Sequence, residues 1–349
     1  MTLEETIEKI GPLDQAAIEA SRKHWDSIAK PLHSLGKLED VVVQMAGIQK
    51  TPRVDISKKA LIVLCADNGV VEEGVTQTGQ EVTAQVAENF LQEKASAGIL
   101  CRKAGADIFP VDMGIYRDTC IRNCKIAYGT KNMVKEPAMT REQAVQALET
   151  GIMLAQEKKQ EGYRILATGE MGIGNTTTSS AIASVLLNRP VEEMTGRGAG
   201  LSSEGLNRKI TAIHKAIELH RPDPADPIDV LAKVGGFDIA AMAGVFLGGA
   251  AAGLPVVIDG FISSVAALVA IRICPQAADY ILASHVSKEP AAQLLLQALG
   301  KEAFLTCDMC LGEGTGAVIL FPVLEMGLEV YHKMATFEEN EIESYVPLQ

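Results

Sequence analysis

Three apolar runs, each closed by an acid and glycine, constrain this chain more than any other feature. Lys59-Ala-Leu-Ile-Val-Leu-Cys-Ala66 ends at Asp67-Asn68-Gly69. Tyr163–Thr168 runs straight into Gly-Glu-Met-Gly-Ile-Gly-Asn-Thr-Thr-Thr178. Leu254-Pro-Val-Val-Ile ends at Asp259-Gly260. Short, continuously apolar runs of this kind read as strands buried on both faces. Between them lie helical patterns. Thr140-Arg-Glu-Gln143 is a capping box opening a helix to about Lys159. Further helices are expected over Val82–Ile99, Asn175–Leu187 and from Ala317 through Tyr331, and another strand over Ala106–Asp112. Strands alternating with helices specify an α/β fold with a parallel sheet and helical crossovers. Ligands in such sheets sit beyond the carboxyl ends of the strands, where Asp67, Glu170 and Asp259 fall.

Several classes are excluded. With a net charge of −12, the 349-residue chain has no broad basic surface for nucleic acid. The longest apolar stretch, Ile239–Ile258, is interrupted by four glycines and a proline, so it reads as a buried helix followed by a buried strand. The acidic start, MTLEETIEKIG, is unlike a signal peptide, and a cytoplasmic location is expected. Seven scattered cysteines do not make a disulfide framework. Cys307-Asp-Met-Cys310 has metal-ligand spacing but lacks a second such pair, Cys120–Cys124 being looser. Free thiols are expected there, and no metal site.

Gly169–Thr178 has the layout of an anion site: strand, glycine turn, helix start. Gly172 and Gly174 allow backbone N–H groups to approach a ligand, and Asn175, Thr176 and Thr177 bring side-chain donors. A tight turn capped by threonines has the same local signature. Neither a P-loop nor a dinucleotide fingerprint is present. Glu170 would repel a bare phosphate, which suits a phosphorylated sugar better. Thr195–Ser203, with Gly198 inside it and Lys209 after it, offers more N–H groups and a cation, or forms an ordinary loop before a helix. Glu313, between glycines in Leu311-Gly-Glu-Gly-Thr-Gly316, is suited to general-base work or is a solvated turn acid. The six histidines form no ligand pattern.

Together these stretches resemble the nicotinate-nucleotide:dimethylbenzimidazole phosphoribosyltransferases, which make the lower-ligand nucleotide of cobamides. The similarity is carried by Lys30-Pro-Leu-His-Ser-Leu-Gly-Lys-Leu-Glu39, Ala66-Asp-Asn-Gly-Val70, Gly169–Thr177, Lys233-Val-Gly-Gly-Phe-Asp238, Asp259-Gly-Phe261, Ser284-His285 and Gly312–Gly316. It implies a Rossmann-like parallel six-stranded sheet with flanking helices. It also implies a large α/β domain over 46–318 and a small helical domain from 1–45 and 319–349. The implied reaction moves phosphoribose from nicotinate mononucleotide to an aromatic base (a benzimidazole, purine or phenolic), without cofactor, in a homodimer or a heterodimer with a paralogue.

By the same resemblance Glu313 is catalytic, while Glu170 and Lys209 lie around the ribose phosphate. Gly172, Gly174, Asn175, Thr176, Thr177 and Gly198 hold the phosphate; Thr78 and Gln80 belong to the acceptor-base pocket; Met171, Leu311, Asp259 and Ser287 complete the substrate contacts. The chain departs from the family at His33, usually glycine, and at Asn68, usually histidine. It also lacks a frequent proline before Gln80. These departures leave open a phenol- or p-cresol-using enzyme acting with a paralogous subunit, or a non-catalytic supporting paralogue.

Overall fold

The computed structural model describes residues 1–345. Six strands form one sheet: β1 Lys59–Ala66, β2 Ala106–Gly114, β3 Arg122–Asn123, β4 Ile165–Met171, β5 Val256–Ile258 and β6 Ile281–Ala283. Their order is β3-β2-β1-β4-β5-β6, and every neighbouring pair is parallel. This is the expected Rossmann-like α/β sheet. The chain reverses its direction of travel between β1 and β4, which makes the gap above their carboxyl ends the topological switch point.

Strand β1 is buried over its whole length and separates two cores. Ala60, Ile62, Leu64 and Ala66 face one apolar cluster, and Leu61, Val63 and Cys65 the other. The two-residue period of a strand produces this division. On the first face pack helices Arg141–Gln160 and Phe237–Ala252, with the latter buried from Phe237 to Ala250. They approach closely because Gly244 has no side chain: a Cβ there would stand 2.0 Å from the Leu148 carbonyl oxygen.

On the other face pack helices Lys37–Gln49, Glu81–Phe90, Ser96–Ala104 and Thr315–Lys333. Helix Gln15–Ser27 joins them through Trp25, whose ring centroid lies 4.9 Å from that of Tyr331. The Lys30–Glu39 segment is clamped by its own ends, since Lys30 Nζ lies 2.6 Å from Glu39 Oε1 in a buried ion pair. His33, inside this clamp, has φ 57°. That left-handed conformation favours glycine, so the histidine side chain is carried there at a cost in strain.

Two sequence expectations need correction. The helix expected over Val82–Ile99 is two helices, Glu81–Phe90 and Ser96–Ala104. The polar turn Gln92-Glu93-Lys94 breaks it, with Glu93 at φ 52°. The break turns the second helix so that its N-terminus reaches the Glu313 loop. The β4 strand runs three residues beyond Thr168, so Gly169, Glu170 and Met171 belong to the strand. No described helix is long and apolar enough to cross a membrane.

Candidate active site

A cavity of about 270 Å³ opens above the carboxyl ends of β4, β5 and β6. Of the residues expected from the sequence, it is lined by Glu170, Met171, Gly172, Gly174, Asn175, Thr176, Gly198, Thr78, Asp259, Ser287, Leu311 and Glu313. Three expected residues do not line it. Thr177 is fully buried, and its hydroxyl has no hydrogen-bond partner. Gln80 donates to the Asn68 carbonyl 3.3 Å away. Lys209 stands one atom behind the wall, donating to Thr176 Oγ1 at 2.8 Å and to the Gly196 carbonyl at 3.2 Å.

The turn after β4 is built from below. Gly174, at φ 96°, starts helix Asn175–Leu187. The first N–H groups of a helix have no partner within it and favour an anion. The Ile173 N–H donates to Thr83 Oγ1 at 3.1 Å, and the Thr83 hydroxyl donates to Asp67 Oδ1 at 2.6 Å. Asp67 therefore shapes the turn from beneath and does not line the cavity. Asn68 is fully buried there too, accepting from the Thr178 hydroxyl, and does not line the cavity.

Asn175 corrects one expectation. Its amide is committed to two carboxylates: Nδ2 donates to Glu170 Oε2 and, at 3.0 Å, to Asp238 Oδ2. Its N–H is taken as well, donating to the Gly172 carbonyl at 3.0 Å. Thr176, by contrast, accepts from Lys209 and keeps its own hydroxyl hydrogen.

Glu170, Asp238 and Asp259 are buried together. Burial pushes Glu170 up to about 8, reinforced by the charges of Asp238 and Asp259, against hydrogen bonds from Asn175 and the Glu313 N–H. Burial likewise moves Asp238 and Asp259 to about 7 and Asp67 to about 6. Lys209 is pushed down to about 8, also by burial. Asp259 uses both oxygens on the last loop: it accepts from the N–H groups of Gly314 (3.1 Å), Gly316 (2.7 Å) and Ala317 (3.2 Å). It thereby caps helix Thr315–Lys333 and holds the turn that carries Glu313.

That turn is unusual. Gly312, Glu313 and Gly314 all have positive φ, at 88°, 62° and 87°. Glu313 pays a conformational cost that its neighbours enforce. The turn lies directly on β4, since a Cβ on Gly169 would stand 2.5 Å from the Glu313 carbonyl oxygen. Glu313 Oε2 accepts from the Ala97 N–H at 3.1 Å, at the start of helix Ser96–Ala104. Burial raises its carboxyl above the ordinary value while the Ala97 bond lowers it. Oε1 remains for a ligand.

A phosphoribosyltransferase family model matches residues 10–342. The chain is 48% identical to a protein of Ruminiclostridium cellulolyticum named nicotinate-nucleotide–dimethylbenzimidazole phosphoribosyltransferase, with all of both chains covered. This chain belongs to that family. A relative of the same name from Acetivibrio thermocellus is 47% identical over 98% of this chain and 99% of its own. The crystal structure of the phosphoribosyltransferase CobT from Thermus thermophilus superposes with TM-score 0.89 at 38% identity, covering 94% of this chain and 99% of that one.

Residues outside the expected set complete this family's site here. Thr83 holds the turn after β4, Asp238 shares Asn175 with Glu170, and Ala97 anchors Glu313. Asp238 was legible in the Gly-Gly-Phe-Asp motif. Thr83 and Ala97 carry no local signal, because each acts across the fold. Cys310 lines the cavity rim, and Cys307 and Cys310 are free and exposed. No group of three or more potential ligands suited to a metal occurs among the described residues.

Proposed function

We propose that this protein transfers phosphoribose from nicotinate mononucleotide to a benzimidazole-type base. The products are nicotinate and an α-riboside 5′-phosphate, as cobamide nucleotide-loop assembly requires. The observation that carries this reading is the pairing, in one cavity, of an anion-binding helix start with two separate carboxylates, Glu170 and Glu313.

The 5′-phosphate sits on the N–H groups of Gly172, Gly174, Thr176 and Gly198, with the Thr176 hydroxyl donating and Lys209 supplying charge from behind. The ribose then lies over Glu170. The donor's pyridinium is cationic, so its arrival favours the ionised form of Glu170 and draws off the proton that burial retains. As the bond between C1′ and the pyridinium nitrogen breaks, its electron pair returns to the ring, which leaves as nicotinate and needs no acid. Positive charge grows on the ribose and is stabilised by Glu170. The imine nitrogen of the acceptor attacks C1′ from the opposite face, converting a β- to an α-riboside. The ring becomes cationic and the N–H proton of its other nitrogen passes to Glu313, whose free Oε1 is the base.

The acceptor lies against Val75, Val86, Met171 and Leu311, apolar side chains in the lining of the same cavity, with Thr76, Gln77 and Thr78 at its polar edge. We assign segments 1–45 and 319–349, of which 346–349 lie outside the described residues, to the smaller unit of a two-domain chain that works in the cytoplasm as a dimer. Acidic charge and unpaired cysteines support the location. The family supports the pairing.

The test is nicotinate release from nicotinate mononucleotide by the purified chain, with dimethylbenzimidazole, adenine, phenol and p-cresol as acceptors. Release with dimethylbenzimidazole and formation of its α-riboside phosphate are expected. Release only with phenols, or only when a second polypeptide is added, would move the assignment to the phenolic heteromer. No release with any base would leave the supporting role.

A further inference from the structure

We propose that Glu289 is a built-in counter-anion for the phosphate site. It holds the Gly196–Gly198 loop and Lys209 in the empty enzyme and takes up a proton when the donor's phosphate arrives. The inference rests on the transferase reading above and adds a residue that the chemistry leaves unused.

Glu289 follows β6, lines the cavity and is partly buried. A Cβ on Gly196 would stand 1.7 Å from Glu289 Oε2, so the carboxylate fills the space beside that glycine. Lys209 Nζ lies 3.2 Å from the Gly196 carbonyl oxygen. Burial raises the Glu289 carboxyl above its ordinary value, against the Lys209 ammonium and the Gly198 N–H, which favour its charge. These are also the N–H and the cation assigned to the phosphate. A carboxylate and a phosphate dianion cannot share them without strong repulsion. A neutral Glu289 carboxyl, however, would donate its O–H to a phosphate oxygen and keep its place.

The other charged or titratable side chains around this end of the cavity are committed elsewhere. The Arg197 guanidinium donates to the Leu201 carbonyl at 2.7 Å and to Ser203 Oγ at 3.1 Å. Asp259 is taken up by the Gly314, Gly316 and Ala317 N–H groups. The His285 ring lies against Gly316 and beside Ser284, and Lys288 is exposed. Lys209 is therefore the cation that Glu289 neutralises.

Binding of ribose 5-phosphate to the full chain between pH 5 and pH 8, measured by calorimetry, tests this against Glu289→Gln. The phosphate's own titration is common to both proteins, so their affinity ratio isolates Glu289. The variant should bind about tenfold more tightly than the wild type at pH 8, with the ratio closing toward one at pH 5. In turnover, the donor KM should fall more than kcat changes. Glu289→Ala removes the same charge and is read in the same way should the glutamine variant not fold. A ratio that does not vary with pH, or weaker binding by both variants throughout, would overturn the inference and leave the transferase reading standing. Failure of every protein to bind ribose 5-phosphate would overturn that reading as well.

Discussion

The two ends of the cavity are built in opposite ways. At the phosphate end, the wall is largely backbone, held from behind by Thr83 on Ile173, by Glu170 and Asp238 on Asn175, and by Lys209 on Thr176. At the base end, the wall is side chain and partly exposed. Leu311 is 58% accessible, and Gln77, Thr78 and Cys310 are also exposed. On the proposed assignment, the donor's phosphate and ribose meet a rigid frame, and the acceptor meets replaceable side chains at a rim.

Glu313 joins the two ends, so its loss has the largest effect. Glu313→Gln keeps the shape of the side chain and can still accept from Ala97, but it cannot take a proton. Turnover should fall by roughly 10²- to 10⁴-fold while the donor KM changes little. Near wild-type turnover would remove Glu313 from the role of base.

Next is the seat of the Glu313 turn. Gly169→Ala places a Cβ against the Glu313 carbonyl carbon and oxygen, 2.7 and 2.5 Å away, and the turn must lift. A displacement of about 1 Å costs on the order of 10²-fold in rate. The anion site, lying further along the β4–helix turn, should lose little ribose 5-phosphate affinity. Equal losses of donor affinity and turnover would show that the ends are not mechanically separate.

This contrast also explains what was legible in the sequence. The parallel sheet could be read because β1 and β4 are short apolar runs ending in acid and glycine. The six-strand count came from resemblance: β3 and β6 are too short to leave a pattern. The phosphate turn was visible as glycines and threonines, yet the commitment of Asn175 to two carboxylates was not, since Asp238 lies 63 residues away in the chain. The break at Gln92-Glu93-Lys94 was hidden because helical periodicity continues on both sides of it. Lys209 was found, but its position behind Thr176 depends on burial that no local pattern reports.

The phosphate end should also govern how stability responds to pH. In the folded chain Glu170 keeps its proton to about 8, Asp238 and Asp259 to about 7, and Asp67 to about 6. The unfolded chain releases these protons near pH 4. Between those limits the folded state binds more protons, so stability falls as pH rises. Lys209, held down to about 8, has the opposite slope, but only above pH 8. Thermal unfolding of the empty protein should therefore peak near pH 5 and drop by several degrees toward pH 8. A melting temperature that is flat or rising over that range would mean that the acids are ionised throughout. Saturation with nicotinate mononucleotide should flatten the decline, since its cation favours an ionised Glu170.

The smallest effect belongs to the base end. Leu311→Ala trims one wall of the acceptor gap and touches no group that holds the phosphate. Because Leu311 is already more than half exposed, the transfer free energy lost is about 1 kcal/mol, or roughly fivefold in acceptor KM. The donor KM should stay the same within error. The loss should be greater for dimethylbenzimidazole than for unsubstituted benzimidazole, because the missing methyl groups have less wall to lose. An equal loss for both bases would place the substituted edge elsewhere, against Val75 and Val86. A matching rise in donor KM would break the comparison itself, because it would show the exposed rim and the rigid frame moving as one.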